Sequence, residues 1–455
     1  MPTSTSVPSS ASTRRQFLQG LAATAAVSPF LALPARGATL TKVRHASIGS
    51  SGQAFSDLRS FAKHPAFELV AVADVDLCAV EKLQEMFPKV RIYQDWRELL
   101  KKESKQIDSV NVSTPDHMHA AIAMEAMKRG KPVYCQKPLA STLHEVRQLT
   151  ETARKRRLLT QMGIQISSTA PQRLGEALAR SGVVGKIKEV HAICAKSWGD
   201  EQPLPTDADP IPPAFNWDEW LGVSEPRPFK RTLYHPGNWR KRVGFGTGTL
   251  GDMGCHIFSP PYRALKLTAP TSITSHGPAP TEQNWATRAK FHYVYPGTEY
   301  TAGPTLDFWW YDGGELPPAS VLEAAGYTGD KPPDGVILIG TEGVLLVPHM
   351  KPPVILPEAR ATAAADTVAR LTQEIAATPR DHYAEFIDGV LAGGTQPLST
   401  SFDYAGPLTE SVILGNIAGR FPDQALEFDT RTLSFPKQKD ANIYVTRSYR
   451  KGWKI

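Results

Sequence analysis

One stretch, Ser109 to Leu139, limits what this chain can fold into; it reads SVNVSTPDHMHAAIAMEAMKRGKPVYCQKPL. Val110 to Ser113 is a short apolar, β-branched run, stopped at Thr114-Pro115 because proline cannot donate to a ladder. Ala120 to Lys128 is rich in good helix formers, with Lys128 and Arg129 in the last turn and Gly130 as the stop. Pro132 to Gln136 is a second strand, and Lys137-Pro138 follows its carboxyl end. Strand, helix and strand at this spacing make a βαβ unit of a parallel sheet, with a right-handed crossover. Ligands in open α/β sheets sit beyond the carboxyl ends of the strands. Pro115, Asp116, His117, His119 and Lys137 all fall at that edge.

The remaining composition bounds the problem. At 455 residues the chain exceeds a single core, so two domains are expected after a leader. No run of eighteen apolar residues occurs, so no membrane span is expected in the mature chain. The formal charge is +6, but Arg14, Arg15 and Arg36 lie in a leader without acidic residues, which leaves +3 for the rest. No basic stripe with interleaved aromatics is present, and nucleic acid is not expected as a partner. The leader, residues 1–38, carries Thr13-Arg14-Arg15-Gln16-Phe17-Leu18, an alanine-rich apolar core and small residues near Gly37. This resembles a twin-arginine export signal rather than a frayed amphipathic terminus, and implies a periplasmic or secreted protein. Cys78, Cys135, Cys194 and Cys255 are scattered, so neither a zinc site nor a disulfide framework follows.

Val43 to Ile48 reads as the first strand and runs into GSSGQA. A dinucleotide turn asks for G-x-G-x-x-G, and here Gly49, Ser51 and Ala54 occupy the three positions, with an extra Gly52. Leu69 to Ala73 is a second strand ending at Asp74, 25 residues after Gly49, where a carboxylate accepts from adenosine ribose hydroxyls. That charge repels a 2′-phosphate, so NAD is expected rather than NADP. Helix Ala79–Met86, strand Val90–Tyr93, helix Trp96–Leu100, helix Thr142–Arg156 and strand Leu158–Gly163 complete a doubly wound Rossmann domain over 39–163. Residues 164–455 open with helix Pro171–Ser181 and strand Lys186–Cys194, and read as a substrate and oligomerisation domain on a large, mainly antiparallel, open-faced sheet. From Trp198 to Trp239 prolines and aromatics dominate, as in an ordered loop whose rings either stack on sugar C–H faces or pack the loop down. Strands follow near 288–295, 305–311, 336–339 and 343–347. Residues 357–379 read as a surface excursion, and helices are expected over His382–Leu391 and Thr409–Ala418.

TPDHMHA followed by GKPVYCQKPLA resembles the glucose–fructose oxidoreductase / inositol dehydrogenase (Gfo/Idh/MocA) family. Its Glu-Lys-Pro triplet is Gln136-Lys137-Pro138 here: the lysine and proline are kept, the glutamate is not. The resemblance implies that Lys137 stands at the nicotinamide and moves the substrate proton, instead of being a surface lysine. It implies a cis bond before Pro138, and cofactor contacts from Gly49, Ser51, Gly52, Gln53, Ala54, Asp74, Thr114, Pro115, His119, Gln136 and Lys137.

A second constellation is Gly251-Asp252-Met253-Gly254-Cys255-His256, at the start of what reads as a short helix. Asp252 and His256 are four apart and share a face. A carboxylate there can orient an imidazole and support its protonated form. An ordinary i,i+4 surface pair and half of a metal site are the alternatives; no second ligand pair accompanies it, and no metal is expected. In the family, this D-x-x-x-H pair completes the catalytic set with the lysine, which makes Lys137, Asp252 and His256 the catalytic candidates. Trp239 and Arg240 join them as substrate residues. The resemblance thus implies NAD-dependent oxidation of a secondary alcohol on a sugar, glycoside or cyclitol; an open sheet face suits a homo-oligomer, and an export leader on a dinucleotide fold implies a retained cofactor. Glycoside cleavage through transient oxidation is a second reading, and a non-catalytic secreted sugar-binding protein a third.

Overall fold

The computed structural model describes residues 40–327 and 331–455; the leader lies outside them. Two sheets organise the chain. The first has six parallel strands in the order β3-β2-β1-β4-β5-β6: β1 Val43–Ile48, β2 Phe67–Ala73, β3 Arg91–Tyr93, β4 Ser109–Val112, β5 Val133–Cys135 and β6 Thr160–Met162. This is the doubly wound Rossmann order, whose direction reverses between β1 and β4. The loops after those two strands therefore splay apart and leave a crevice, into which Gly49 and Thr114–Pro115 open. The helix of the βαβ unit starts earlier than its alanine run, at Asp116, and ends at Lys128. Leu143–Arg156 is capped by Thr142 in a full capping box with Glu145.

The second sheet has eight strands in the order β13-β12-β11-β7-β10-β9-β8-β14, where β7 is Ile187–Ile193, β8 Ser272–Ser275, β9 Ala289–Pro296, β10 Thr305–Asp312, β11 Gly335–Gly340, β12 Val344–Pro348, β13 Val354–Leu356 and β14 Ala425–Glu427. All its pairs are antiparallel except β7 with β10. One face packs on helices Ala170–Ser181, Gly248–Ala264 and Phe402–Ala418. The face expected to be open is partly covered by the chain itself: Val321, Leu322, Ala325 and Tyr327 pack on Ile193, Tyr311, Ile337 and Leu346.

Two expectations need correction. The helix carrying Asp252 and His256 is not short but spans seventeen residues, Gly248–Ala264, and continues through Pro260 and Pro261. Phe402–Ala418 likewise begins before Pro407. Both are buried nearly all round, so packing outweighs the hydrogen bonds the prolines remove. The Phe402–Ala418 helix lies against Leu143–Arg156 on one side and Gly248–Ala264 on the other, which explains its uniform burial. The stretch 357–379 lies at the surface as expected, and there it forms helices Glu358–Ala363 and Ala365–Ala377, the second packed on Ala170–Ser181.

Candidate active site

The crevice at the end of β1 and β4 continues into the second half of the chain as one cleft of about 470 Å³. Gly49 turns the chain with φ 104°, and a Cβ there would stand 2.5 Å from the Ser113 carbonyl oxygen. Gly52, at φ 55°, leads into helix Gln53–Phe61, which has no side-chain cap and no acidic residue in its first turn. Its N–H groups and positive end thus face the cleft beside Ser51, Gly52 and Gln53, an arrangement suited to a pyrophosphate. Ala54 lies buried beneath the turn rather than on the cleft wall. Asp74 lines the cleft at the end of β2. Its Oδ2 accepts from the amide and hydroxyl of Ser50, at 2.9 and 2.6 Å, and Oδ1 from the amide of Asp76 at 3.0 Å. Burial pushes its carboxyl up, and those hydrogen bonds counter the push.

The opposite wall carries Thr114, Pro115, Gln136 and Lys137. The Lys137–Pro138 bond is cis. Lys137 Nζ donates to Asp252 Oδ1 at 2.6 Å and to the Asp252 carbonyl at 2.8 Å, which joins the end of β5 to helix Gly248–Ala264. Trp198 Nε1 donates to Asp252 Oδ2 at 2.9 Å. Burial alone would raise the Asp252 carboxyl, but Lys137, Arg240 and Lys196 outweigh it and hold it well below the usual carboxylate range. Arg240 stacks on Trp239, its guanidinium carbon 4.2 Å from the ring centre.

The charge of Asp252 favours a protonated His256, as the D-x-x-x-H spacing suggested, but it is outweighed. The Asp252 oxygens are taken by Lys137 and Trp198, and His256 Nδ1 is buried with no hydrogen-bond partner. Burial, then Lys137 and His349, push the His256 imidazole well below its ordinary range, so it is neutral. His119 is also placed differently from its expected contact with the cofactor: it sits behind the wall, its Nδ1 2.8 Å from the Pro138 carbonyl and its Nε2 2.9 Å from that of Thr114. It ties the two cleft loops together. His117 lies deeper still, against Trp220 and Phe245, and burial pushes it down to about 3.

Ser50, Gln94, Lys196, His235 and His349 also line the cleft, outside the expected site residues, and Lys196 and His349 carried no sequence signal. The proline-rich segment brings some of them. It is strapped across the end of β2, with the Leu77 amide on the Ala214 carbonyl at 3.0 Å and the Asn216 amide on the Val75 carbonyl at 2.8 Å. Its aromatics Phe215, Trp217, Trp220, Phe229, Tyr234 and Trp239 form a core of their own, so most of these rings pack the segment down. Among the described residues, no group of three or more His, Cys, Asp or Glu side chains is placed to hold a metal ion, and no helix is long and apolar enough to cross a membrane.

A glycine turn under an open helix end, an acidic residue closing β2, and a Lys–Asp pair facing a histidine make a site suited to a dinucleotide beside proton-transferring groups. Residues 43–164 match the GFO_IDH_MocA model, described as an oxidoreductase family with an NAD-binding Rossmann fold. Levoglucosan dehydrogenase of Pseudarthrobacter phenanthrenivorans is 24% identical over 193 residues, 42% of this chain and 41% of its own. An alpha-N-acetylgalactosaminidase of Shewanella oneidensis is 29% identical over 154 residues, 32% of this chain and 33% of its own. Each match thus spans less than half of the relative. The WlbA dehydrogenase of Chromobacterium violaceum, solved with NADH and UDP-GlcNAcA, shares the fold over 86% of this chain and 97% of its own, with a TM-score of 0.59 at 15% identity.

Proposed function

We propose that the protein is an NAD-dependent oxidoreductase acting on a secondary alcohol of a sugar, glycoside or cyclitol. The observation that carries this reading is the continuity of one cleft from the uncapped helix end at Gly52 to the Lys137–Asp252 pair and His256. Bound NAD supplies a hydride acceptor. The chain's own residues do the rest. Gly49, Ser51, Gly52 and Gln53 cradle the pyrophosphate, and Asp74 receives ribose hydroxyls in competition with Ser50. Asp252 stays ionised and fixes the Lys137 ammonium at the substrate hydroxyl. Neutral His256 takes the hydroxyl proton, an assignment that suits an unpaired imidazole in a closed site. The test is NADH formation at its absorbance band when candidate sugars are added. Absence of NADH with every polyol offered, in protein that binds NAD, would leave the sugar-binding alternative.

A second reading is supported by the likeness to an alpha-N-acetylgalactosaminidase. In it, bound NAD would supply the hydride acceptor and later the donor, while the same residues would move the protons of a transient oxidation, loss of the aglycone and addition of water. Release of an aglycone with no net NADH separates the two.

The proposal includes export through the twin-arginine leader, a homo-oligomeric state and a retained cofactor. Free NAD is scarce outside the cytoplasm, and the strap across β2 supports retention by covering the adenosine end of the cleft. Mass identification of nucleotide released on heating the purified mature protein tests this. Protein that carries none and works only with NAD continuously supplied would count against it.

A further inference from the structure

Three cations converge on one carboxylate at the substrate end of the cleft. Lys137 Nζ is 2.6 Å and Arg240 Nε 3.3 Å from Asp252 Oδ1, while Lys196 Nζ is 3.4 Å from Oδ2. They are not equally satisfied. Lys137 has its two short hydrogen bonds. Arg240 makes no side-chain hydrogen bond among the described residues, and its Nη1 is shielded from solvent without a partner. Its other carboxylate, Asp116, is 3.7 Å away, with Oδ2 already accepting from the amide and hydroxyl of Thr247 at 3.1 and 2.6 Å. Beyond Asp252, Lys196 meets Met253 Sδ at 3.2 Å, a weak acceptor, and its side chain is 48% exposed.

Around Asp252 the cleft wall carries Lys137, Lys196 and Arg240 against Asp252 and Asp116, so cations outnumber carboxylates there; Asp334, which accepts from the Ala195 amide at 2.6 Å, is a further carboxylate nearby but does not line the cleft. His256 and His349 add none: burial lowers both imidazoles below their ordinary range. Cations held in a partly desolvated cleft favour a ligand that brings the missing charge. A neutral sugar offers acceptor oxygens but no charge. A carboxylate offers both, and its two oxygens match the planar fork of a guanidinium. We propose that the substrate is a sugar acid, an aldonate or uronate, whose carboxylate is bound by Arg240 and Lys196. This rests on the oxidoreductase reading and names its substrate class.

The test is calorimetric titration of the NAD-loaded protein with matched pairs: D-glucose against D-glucuronate and D-gluconate, and D-galactose against D-galacturonate. At least one acid should bind about tenfold or more tightly than its neutral partner. The preference should shrink as sodium chloride is raised and vanish in Lys196→Gln, while Lys196→Arg keeps it. A panel in which no acid outbinds its neutral partner overturns the proposal, as does a preference untouched by salt or by Lys196→Gln. Should Lys196→Gln not fold, the salt titration of the native protein decides. NADH absorbance on the same samples reports the oxidoreductase reading separately. Turnover confined to neutral sugars sinks the carboxylate and spares that reading, and acid binding without turnover does the reverse.

Discussion

The side-chain amide of Gln136 donates to both carboxylate oxygens of Asp57, at 3.0 and 2.8 Å. Asp57 lies fully buried on the helix below the glycine turn, and Gln53, Ser113 and Tyr383 each donate to it at 2.8 Å. Gln53 and Gln136, both expected to touch cofactor, line the cleft while their side-chain amides are held by Asp57. Burial raises the Asp57 carboxyl, and these donors counter it. A glutamate at 136 would put two carboxylates in contact there.

Gln136→Glu is therefore expected to destabilise the fold by about 1–3 kcal/mol. The new carboxyl would have a raised folded pKa, so the folded state retains a proton that the unfolded chain has lost. Stability of the variant relative to the native chain should fall further as pH rises from about 5 to 8. Urea denaturation at both ends of that range checks it.

Lys137→Ala and His256→Ala are expected to lower turnover by roughly 10²–10⁴-fold while NAD binding is largely kept. Asp74→Ala should do the opposite and weaken NAD by about 10–100-fold, since three donors and the turn at Ser50 depend on it. Steady-state kinetics beside NAD titration by fluorescence separates the two effects.

His256 is neutral because burial and Lys137 depress it. Its basic form is lost only below that depressed pKa, so kcat/KM should show no acid limb near the ordinary histidine value of about 6.5. A pH–rate profile with a break there would contradict the neutral assignment.

Glu176, on helix Ala170–Ser181, is pushed up to about 7 by burial, against the opposing pull of Arg263 and three other arginines. Its unfolded value is about 4.3, so the folded state holds the extra proton between the two. Its stabilising contribution is present below the lower value and is lost as pH rises through about 7. Glu176→Gln should flatten the decline of stability across that window, as thermal melts in a buffer series would show.

Much of this was legible in the chain, and the failures share causes. Strand Val43–Ile48 and helix His382–Leu391 coincide with their expected ranges because periodicity and end signals agree there. The helices through Pro260 and Pro407 were read too short, since proline marks a boundary by local rules and burial on all sides overrides them. Lys137, Asp252 and His256 stand out through the family resemblance of their motifs, and they meet at one cleft. Lys196 and His349 do not stand out, because each follows a strand of the second sheet and gains its neighbours only from the strand order. Ser50 sat inside the glycine turn, but a serine there reads as filler until Asp74 is seen to bind it.

The strap across β2 has a kinetic consequence. Its aromatic cluster is separate from the main cores, and backbone hydrogen bonds fasten it to Val75 and Leu77. Such a segment can open as its own cooperative unit, at less cost than global unfolding. Nucleotide exchange would then follow the opening frequency of this unit, with amide hydrogens at Leu77 and Asn216 exchanging on the same timescale as the cofactor.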